Sequence, residues 1–259
     1  QRRSSDLHAS LSYEDFIEGI KPQTDASGAL SYSVQAGIFR ELCAKAAAQS
    51  AQNFVLIIDE INRGNVAQIF GELITLLEDS KRIGSAEALH LQLPYSRQLF
   101  GVPANLYLLG TMNSADRSTT ALDSALRRRF QFVEMPPRVD LLQGKQVAGI
   151  DLGRLLGRLN ERIAYFLGAD YALGHAYFLG IDSLSTLTEV WEQKIMPLLQ
   201  EHFFGDGEKL RLVLGEGFVR RIQSEPLLAV DDGDWWQSKP QYQFLAITDL
   251  KTALMKGRL

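Results

Sequence analysis

The sequence predicts an α/β protein in which helices flank a parallel sheet, followed by a smaller all-helical region and a short C-terminal extension. Three observations carry this prediction. Apolar runs without alternation, at residues 54–60 and 106–109, are typical of strands that are covered on both faces. A helical pattern follows the first run almost at once, as in half of a βαβ unit. Beyond Pro136 and Pro137 the apolar period becomes helical throughout.

The first region is predicted to alternate helix and strand. Apolar residues at helical spacing indicate helices over residues 37–50 and 66–79, the second with Asn65 as its N-cap. After the second apolar run and a short polar loop, we expect a helix over residues 121–128. A strand over residues 130–134 should follow it and stop at the two prolines.

The rest of the chain is predicted to be mainly helical. Helices are expected over residues 151–167, 184–204 and 207–214, with Pro197 as a kink in the second. The C-terminal extension has less regular signals, which indicate a turn at 231–234, a strand over 242–247 and a helix over 249–256. The predicted domains are an α/β core at 1–140, a helical lid at 141–215 and the extension at 216–259.

Composition places the 259-residue chain among soluble globular proteins. Apolar residues make up 46%, charged residues 22% and the net charge is -4, which disfavours both disorder and a basic nucleic-acid-binding surface. The single cysteine, Cys43, excludes an intramolecular disulfide and a thiolate-rich metal cage. No apolar run approaches the roughly 20 residues of a membrane span. We therefore predict a cytoplasmic protein that does not contact a membrane.

Polar side chains follow both apolar strands at the point where each ends. Asp59 and Glu60 close the first strand, and Asn113 follows the second. Ligands gather at the carboxyl ends of the strands in open α/β sheets, and an acid pair there suits a phosphate-bound Mg²⁺. The alternative is that both acids are loop carboxylates that cap a neighbouring helix.

Three consecutive arginines, Arg127, Arg128 and Arg129, close the predicted helix before the third strand. One interpretation is a solvated cationic helix end, which the helix dipole favours. The other is a guanidinium that reaches the phosphates of a neighbouring subunit, as arginine fingers do.

Several segments together resemble one family. FVLIIDEINRGN at 54–65, GTMNSADRS at 110–118 and ALRRRF at 125–130 closely resemble the Walker B, sensor 1 and arginine-finger segments of the McrB family, the AAA+ GTPase motors of modification-dependent McrBC restriction systems. SYEDF at 12–16, LPYS at 93–96 and LGHAYF at 173–178 are similar to further motifs of that family, the last in its lid. The likeness extends over about residues 8–215. It implies an AAA+ fold with a helical lid.

The resemblance also implies roles for individual residues. Asp59 would hold Mg²⁺ through water, Glu60 would activate the attacking water, Asn113 would be sensor 1 and Asn62 would position the water. A polar network would couple the site to the adjoining subunit through Arg63, Asp116, Arg117 and Asp123. Arg128 and Arg129 are the candidates for the arginine finger. His175 lies in the lid motif, where it is either a nucleotide contact or a structural histidine.

The same resemblance implies cofactors and partners. GTP with Mg²⁺ is the expected nucleotide, and ATP is the alternative. The protein would form a ring of its own subunits, a hexamer by family analogy, and would drive DNA translocation toward cleavage by a separate McrC-like nuclease. DNA would be recognised through a domain that is not in this chain.

One departure from the family is the phosphate-binding loop. The pattern G-x-x-x-x-G-K-[ST] is absent from the 259 residues, since Gly144 and Lys145 are followed by Gln146. The chain is therefore expected to be a truncation, which its non-Met start favours, or a degenerate member. Two other functions stay open: a non-hydrolysing ring subunit that contributes arginines, and a MoxR-like AAA+ protein that remodels protein partners. Retention of Asp59 and Glu60 counts against the first, and the segment MNSADRS counts against the second.

Overall fold

The part of the chain described by the computed structural model comprises residues 2–6, 11–24, 28–116, 124–222, 241–245 and 249–259. The chain divides into two compact units, Gln1–Val133 and Glu134–Leu259, each with its own hydrophobic core. In chain order the elements of the first unit are β1 (Arg2–Asp6), α1 (Tyr13–Phe16), β2 (Glu18–Thr24), β3 (Leu30–Ala36), α2 (Ile38–Ala48), β4 (Phe54–Asp59), α3 (Val66–Phe70), β5 (Leu91–Gln92), β6 (Leu99–Phe100), β7 (Leu106–Gly110) and α4 (Ser124–Arg127).

The main sheet of the first unit is parallel, with the strand order β1-β4-β7. The central strand β4 has Phe54, Leu56 and Ile58 fully buried, and Val55 and Ile57 between them are half-buried. An uninterrupted apolar sequence is what a strand covered on both faces requires. The predicted parallel sheet is therefore confirmed, with β4 at its centre.

Of the two helices predicted at 37–50 and 66–79, only the second differs from its sequence pattern. The helix predicted at 37–50 is confirmed as α2. The one predicted at 66–79 begins as expected, because the Asn65 side chain accepts the N–H of Gln68 at 3.1 Å. It ends as an α-helix at Gly71, whose φ of +53° favours glycine, and continues as a 3₁₀ helix over Gly71–Leu77. The apolar period continues through both parts, so the sequence pattern did not reveal the change.

The strand predicted over residues 130–134 is wrong. Residues 131–138 form no regular secondary structure, and Phe132 and Val133 are 47% and 73% exposed. A strand needs a neighbour to accept and donate its main-chain hydrogen bonds. None of the described strands pairs with this segment, so its strand-like composition has no partner.

Two polar side chains hold the start of β7. Arg82, 7% exposed, donates to the carbonyls of Leu77 and Leu106 at 3.0 and 3.2 Å. Burial lowers the pKa of this guanidinium. The side-chain N–H₂ of Asn105 donates to the carbonyl of Ala46, in the last turn of α2, at 2.9 Å. These contacts fix β7 against α2 and the 3₁₀ helix, and therefore fix where its carboxyl end lies.

The second unit consists mainly of helices around one core. Its elements are β8 (Gln146–Val147), β9 (Ile150–Asp151), α5 (Leu152–Leu167), α6 (Ala176–Leu179), α7 (Leu184–Val190), α8 (Met196–His202), α9 (Gly207–Leu214), β10 (Val219–Ile222), β11 (Gln241–Phe244) and α10 (Leu250–Gly257). The antiparallel pairs β8–β9 and β10–β11 accompany the helices. Leu250, Ala253 and Leu254 of α10 belong to the same core as α5 and α9.

The helices predicted at 151–167, 207–214 and 249–256 are confirmed as α5, α9 and α10. The one predicted at 184–204 is divided by a π-helical turn, Trp191–Ile195, directly before Pro197 in the first turn of α8. The strand predicted at 242–247 is present in part as β11, over Gln241–Phe244. Residues 246–248 and the turn predicted at 231–234 lie outside the described residues. No helix in the described ranges combines the length and apolar character needed to cross a membrane.

Candidate functional site

The candidate site is formed where β4 and β7 end. Ile58 and Gly110 are paired in the parallel register, so the loops that follow the two strands leave the same edge of the sheet. Asp59 is the last residue of β4, and Glu60 follows it. Thr111 is the first residue after β7, and Asn113 lies two residues further on. The sequence-based expectation that these loops are neighbours is met.

Thr111 joins the two loops. Its hydroxyl donates to Oδ1 of Asp59 at 2.5 Å and accepts the N–H of Glu60 at 3.1 Å. Its main-chain N–H donates to the carbonyl of Ile58 at 2.9 Å, and its own carbonyl accepts the N–H of Ile61 at 2.9 Å. No role is predicted for Thr111 from the sequence. The sequence feature that could have indicated a role is a hydroxyl residue directly after an apolar strand and two positions before the predicted sensor residue.

Glu60 has an unusual backbone conformation and an ion pair. Its φ is +51°, in the left-handed region that residues other than glycine rarely adopt. The main-chain N–H of Arg63 donates to the Glu60 carbonyl at 2.8 Å and closes the turn. Nε of Arg63 lies 2.6 Å from Oε2 of Glu60, and Nη2 lies 3.3 Å from Oδ2 of Asp116. Arg63 therefore bridges two of the predicted acids.

Asn62 connects the loop after β4 to the predicted sensor residue. It is 4% exposed, and its Nδ2 donates to the carbonyl of Asn113 at 3.1 Å. The Asn113 side chain turns toward its own loop, where its Oδ1 accepts the N–H of Ala115 at 3.1 Å. Asn62 thus holds the main chain of Asn113 rather than its amide group.

The donors at this edge fit a magnesium ion that keeps part of its water shell. Mg²⁺ is usually bound in phosphate-handling sites by one or two carboxylates, by waters and by the phosphates themselves. Asp59 supplies an exposed carboxylate at the strand end. The Thr111 hydroxyl orients this carboxylate through Oδ1.

The three consecutive arginines have different surroundings. The Arg127 guanidinium lies over the ring of Phe132, 5.3 Å from its centroid. Arg129 donates to the Ala125 carbonyl at 2.7 Å and pairs with Glu78 at 2.7 Å, with only 17% of its side chain exposed. Arg128 is exposed. Arg129 is therefore engaged within its own unit, whereas Arg128 faces solvent.

The remaining predicted residues lie elsewhere or outside the described ranges. His175 belongs to the second unit, where it precedes α6, and its Nδ1 accepts the N–H of Arg138 at 3.1 Å. This contact gives the imidazole a structural partner. Arg117 and Asp123 lie outside the described residues.

Two family models match the chain. One, described as an AAA domain of the dynein-related subfamily, matches residues 5–130. The other, described as the alpha-helical lid domain of McrB, matches residues 151–211. The first match contains β4, β7 and the loops that follow them, and the second contains most of α5 to α9.

Two relatives have restriction-enzyme names. The chain is 37% identical over 224 residues to the type IV methyl-directed restriction enzyme EcoKMcrB subunit of Escherichia coli strain K12. This alignment covers 78% of this chain and 47% of that protein. It is 30% identical over 132 residues to the type II restriction enzyme BsuMI component YdiS of Bacillus subtilis strain 168, covering 48% of this chain and 37% of that protein. The chain thus spans about half the length of the first relative and just over a third of the second.

Proposed function

Because this chain belongs to the McrB family of AAA+ proteins, we propose that it is part of the nucleotide-hydrolysing subunit of a restriction system. The proposed nucleotide is GTP with Mg²⁺. The reacting groups are the acids at the end of β4, and the second unit is a lid that responds to the nucleotide. GTP rather than ATP is proposed because the chain resembles a family of GTPases.

The observation that carries this proposal is the link between Asp59, Glu60 and the loop after β7. Asp59 is proposed to hold Mg²⁺ through water, and Glu60 to accept a proton from the water that attacks the terminal phosphate. When bound, the metal neutralises charge on the phosphate oxygens. The hydrogen bond from Asn62 to the Asn113 carbonyl at 3.1 Å supports the proposal, because it joins the same two loops a second time. Arg63 pairs with the Glu60 carboxylate through Nε and with Asp116 through Nη2, so it ties the orientation of Glu60 to the loop after β7.

We propose that the protein works in a ring of its own subunits, a hexamer, with a separate nuclease. The names of both relatives describe parts of restriction enzymes, a subunit and a component. The net charge of -4 supports a division in which DNA is contacted chiefly through other domains, because direct backbone binding normally needs a basic surface. DNA translocation is the proposed use of the hydrolysis energy.

The test uses the full-length protein in which this sequence occurs. Glu60→Gln keeps the shape of the side chain but removes the base. We expect turnover to fall at least about 100-fold, the range for loss of a general base. The affinity for Mg²⁺-nucleotide should stay within about threefold, because the change affects the chemical step rather than binding.

Glu87→Gln is the matched control, since Glu87 makes an exposed ion pair with Lys81 and is not among the proposed site residues. It should hydrolyse at the wild-type rate. Wild-type turnover by Glu60→Gln would remove Glu60 from its proposed role. Parallel assays with GTP and ATP decide which nucleotide the protein prefers.

The exposed Arg128 would serve equally well in a second candidate, a ring subunit that contributes arginines to its neighbours but hydrolyses nothing. A full-length protein with no turnover of its own that still raises hydrolysis by competent neighbours would favour this candidate over the first.

A further inference from the structure

Thr111 contacts four consecutive residues of the loop that carries both acids. Its hydroxyl contacts Asp59 and the main chain of Glu60, and its own main chain contacts Ile58 and Ile61. The main-chain contacts would exist with any residue at this position except proline. The hydroxyl contacts depend on the threonine side chain.

We propose that Thr111 is a positioning residue that sets the relation between the metal-holding and water-activating acids. This inference depends on the proposed function of Asp59 and Glu60. Thr111 acts through Asp59 and Glu60, without contacting the nucleotide itself.

The hydroxyl is suited to this role because it donates and accepts at the same time. It accepts the Glu60 N–H, which leaves its hydrogen directed at Oδ1 of Asp59. An ionised carboxylate is an acceptor only, so the direction of this chain of hydrogen bonds is fixed. The orientation of the Asp59 carboxylate is thereby tied to the main chain at Glu60.

The left-handed backbone of Glu60 makes such a link necessary. A residue other than glycine keeps a φ of +51° only where its surroundings hold it there. The Thr111 hydroxyl holds the N–H of Glu60, and the Arg63 N–H holds its carbonyl. The direction in which the Glu60 side chain leaves the loop follows from this conformation.

Two substitutions separate the hydroxyl from the rest of the side chain. Thr111→Val keeps the shape and removes both hydroxyl contacts, whereas Thr111→Ser keeps the hydroxyl and removes a methyl group. Thr188→Val, which removes a hydroxyl that donates to the Leu184 carbonyl within α7, is the matched control. All three are made in the full-length protein.

Two properties are measured: turnover with saturating Mg²⁺, and binding of a non-hydrolysable GTP analogue as Mg²⁺ is titrated. In Thr111→Val we expect kcat to fall about 10- to 100-fold and the half-saturating Mg²⁺ concentration to rise by a similar factor, as when a partner behind a metal ligand is lost. KM at saturating Mg²⁺ should stay within about threefold, because nucleotide contacts are unchanged. Thr111→Ser and Thr188→Val should resemble the wild type in both properties.

Each outcome bears on the proposal. Wild-type kcat and Mg²⁺ dependence in Thr111→Val overturn it, and so does a serine variant as impaired as the valine variant. If the wild type has no turnover, the proposed hydrolysis fails, but the Mg²⁺ titration still tests Thr111. If the valine variant does not fold, Thr111→Ala replaces it, and the serine variant must still retain both properties.

Discussion

Glu18, at the start of β2, is a fully buried carboxylate at the junction of three elements. Its Oε1 accepts the N–H groups of Tyr95 and Ser96 at 3.0 and 2.9 Å, and its Oε2 pairs with Arg40 of α2. Burial alone would raise the pKa of this carboxyl, but the hydrogen bonds from Ser96 and Tyr95 and the charge of Arg40 outweigh it, and the pKa is lowered. The LPYS turn is therefore built around an anion.

Removing this anion should destabilise the first unit strongly. Glu18→Ala removes the acceptor of two main-chain N–H groups and the anion that pairs with Arg40. The loss of one member of a buried ion pair costs about 3–5 kcal/mol. The measurement is urea unfolding of the chain at pH 7. Glu87→Ala, on an exposed pair, is the control and should unfold at the wild-type urea concentration. Equal midpoints for the two variants would show that the Glu18 cluster adds little stability.

Residues at the ends of strands were predictable, but the residues that hold them were not. Asp59, Glu60 and Asn113 each follow an apolar run, so topology alone places them at one edge. The Thr111 hydroxyl bonds residues at least 51 positions away, and the Glu18 carboxylate bonds residues at least 22 positions away. A pattern of neighbouring residues cannot predict hydrogen bonds between residues so far apart in the sequence. The left-handed turn at Glu60 was equally hidden, because glycine is the residue that normally marks it.

At the scale of elements, a carboxylate joins α9 to β11 in the second unit. Glu208, in the first turn of α9, pairs with Arg211 at 2.8 Å and accepts the hydroxyl of Tyr242 at 2.8 Å. The hydrogen bond from Arg211, followed by that from Tyr242, lowers the pKa of Glu208 to about 2. The neighbouring Gly207 leaves room for this approach, because a β-carbon there would lie 2.4 Å from the Tyr242 ring.

This pair makes part of the stability of the second unit depend on pH. The folded-state pKa lies below the ordinary value, so the contribution is complete above about pH 4.5 and is lost as the pH falls toward 2. We expect Glu208→Gln to lose less stability than the wild type between pH 5 and pH 3 in urea unfolding. Glu216→Gln, which neutralises a 78% exposed carboxylate on the same arginine, should follow the wild-type curve. A Glu208→Gln curve parallel to the wild type would contradict the assignment.

Most helices and the strands β4 and β7 were predictable because their apolar patterns are regular or uninterrupted. The misses have physical causes in each case. Gly71 changes α3 into a 3₁₀ helix without disturbing the apolar spacing. Residues 130–134 have a strand-like composition but no pairing strand among those described. The β2–β3 hairpin was not predicted. Several of its apolar side chains, among them Ile20, Leu30 and Tyr32, are exposed, so its sequence lacks the alternation of a strand with one buried face.

At the scale of the whole molecule, the proposed ring distinguishes the two candidate finger residues, Arg128 and Arg129. A finger that reaches a neighbouring subunit has to be available at the surface, and it stabilises charge that develops on the transferred phosphate. Arg129 is bound to Glu78 and Ala125 of its own chain. Arg128 is exposed. We therefore predict that Arg128 is the residue that acts on the adjoining site.

Mixing two inactive full-length variants tests this prediction. Arg128→Ala retains Glu60 but lacks the finger, whereas Glu60→Gln retains the finger but lacks the base. Each alone should be nearly inactive, since loss of a finger reduces kcat by about 10³-fold or more. In mixed rings, a Glu60→Gln subunit supplies its arginine to the intact base of an Arg128→Ala neighbour. GTP hydrolysis by the mixture should therefore exceed that of either variant alone.

Arg129→Ala is the matched control, because it removes the same side chain one position away. Loss of its ion pair with Glu78 should lower the urea midpoint of the first unit, and mixing with Glu60→Gln should not restore a defect that lies within its own subunit. Rescue of Arg129→Ala but not of Arg128→Ala would assign the finger to Arg129, which would then have to leave Glu78 when the ring assembles. Absence of rescue for both variants would mean that neither arginine acts across the subunit boundary.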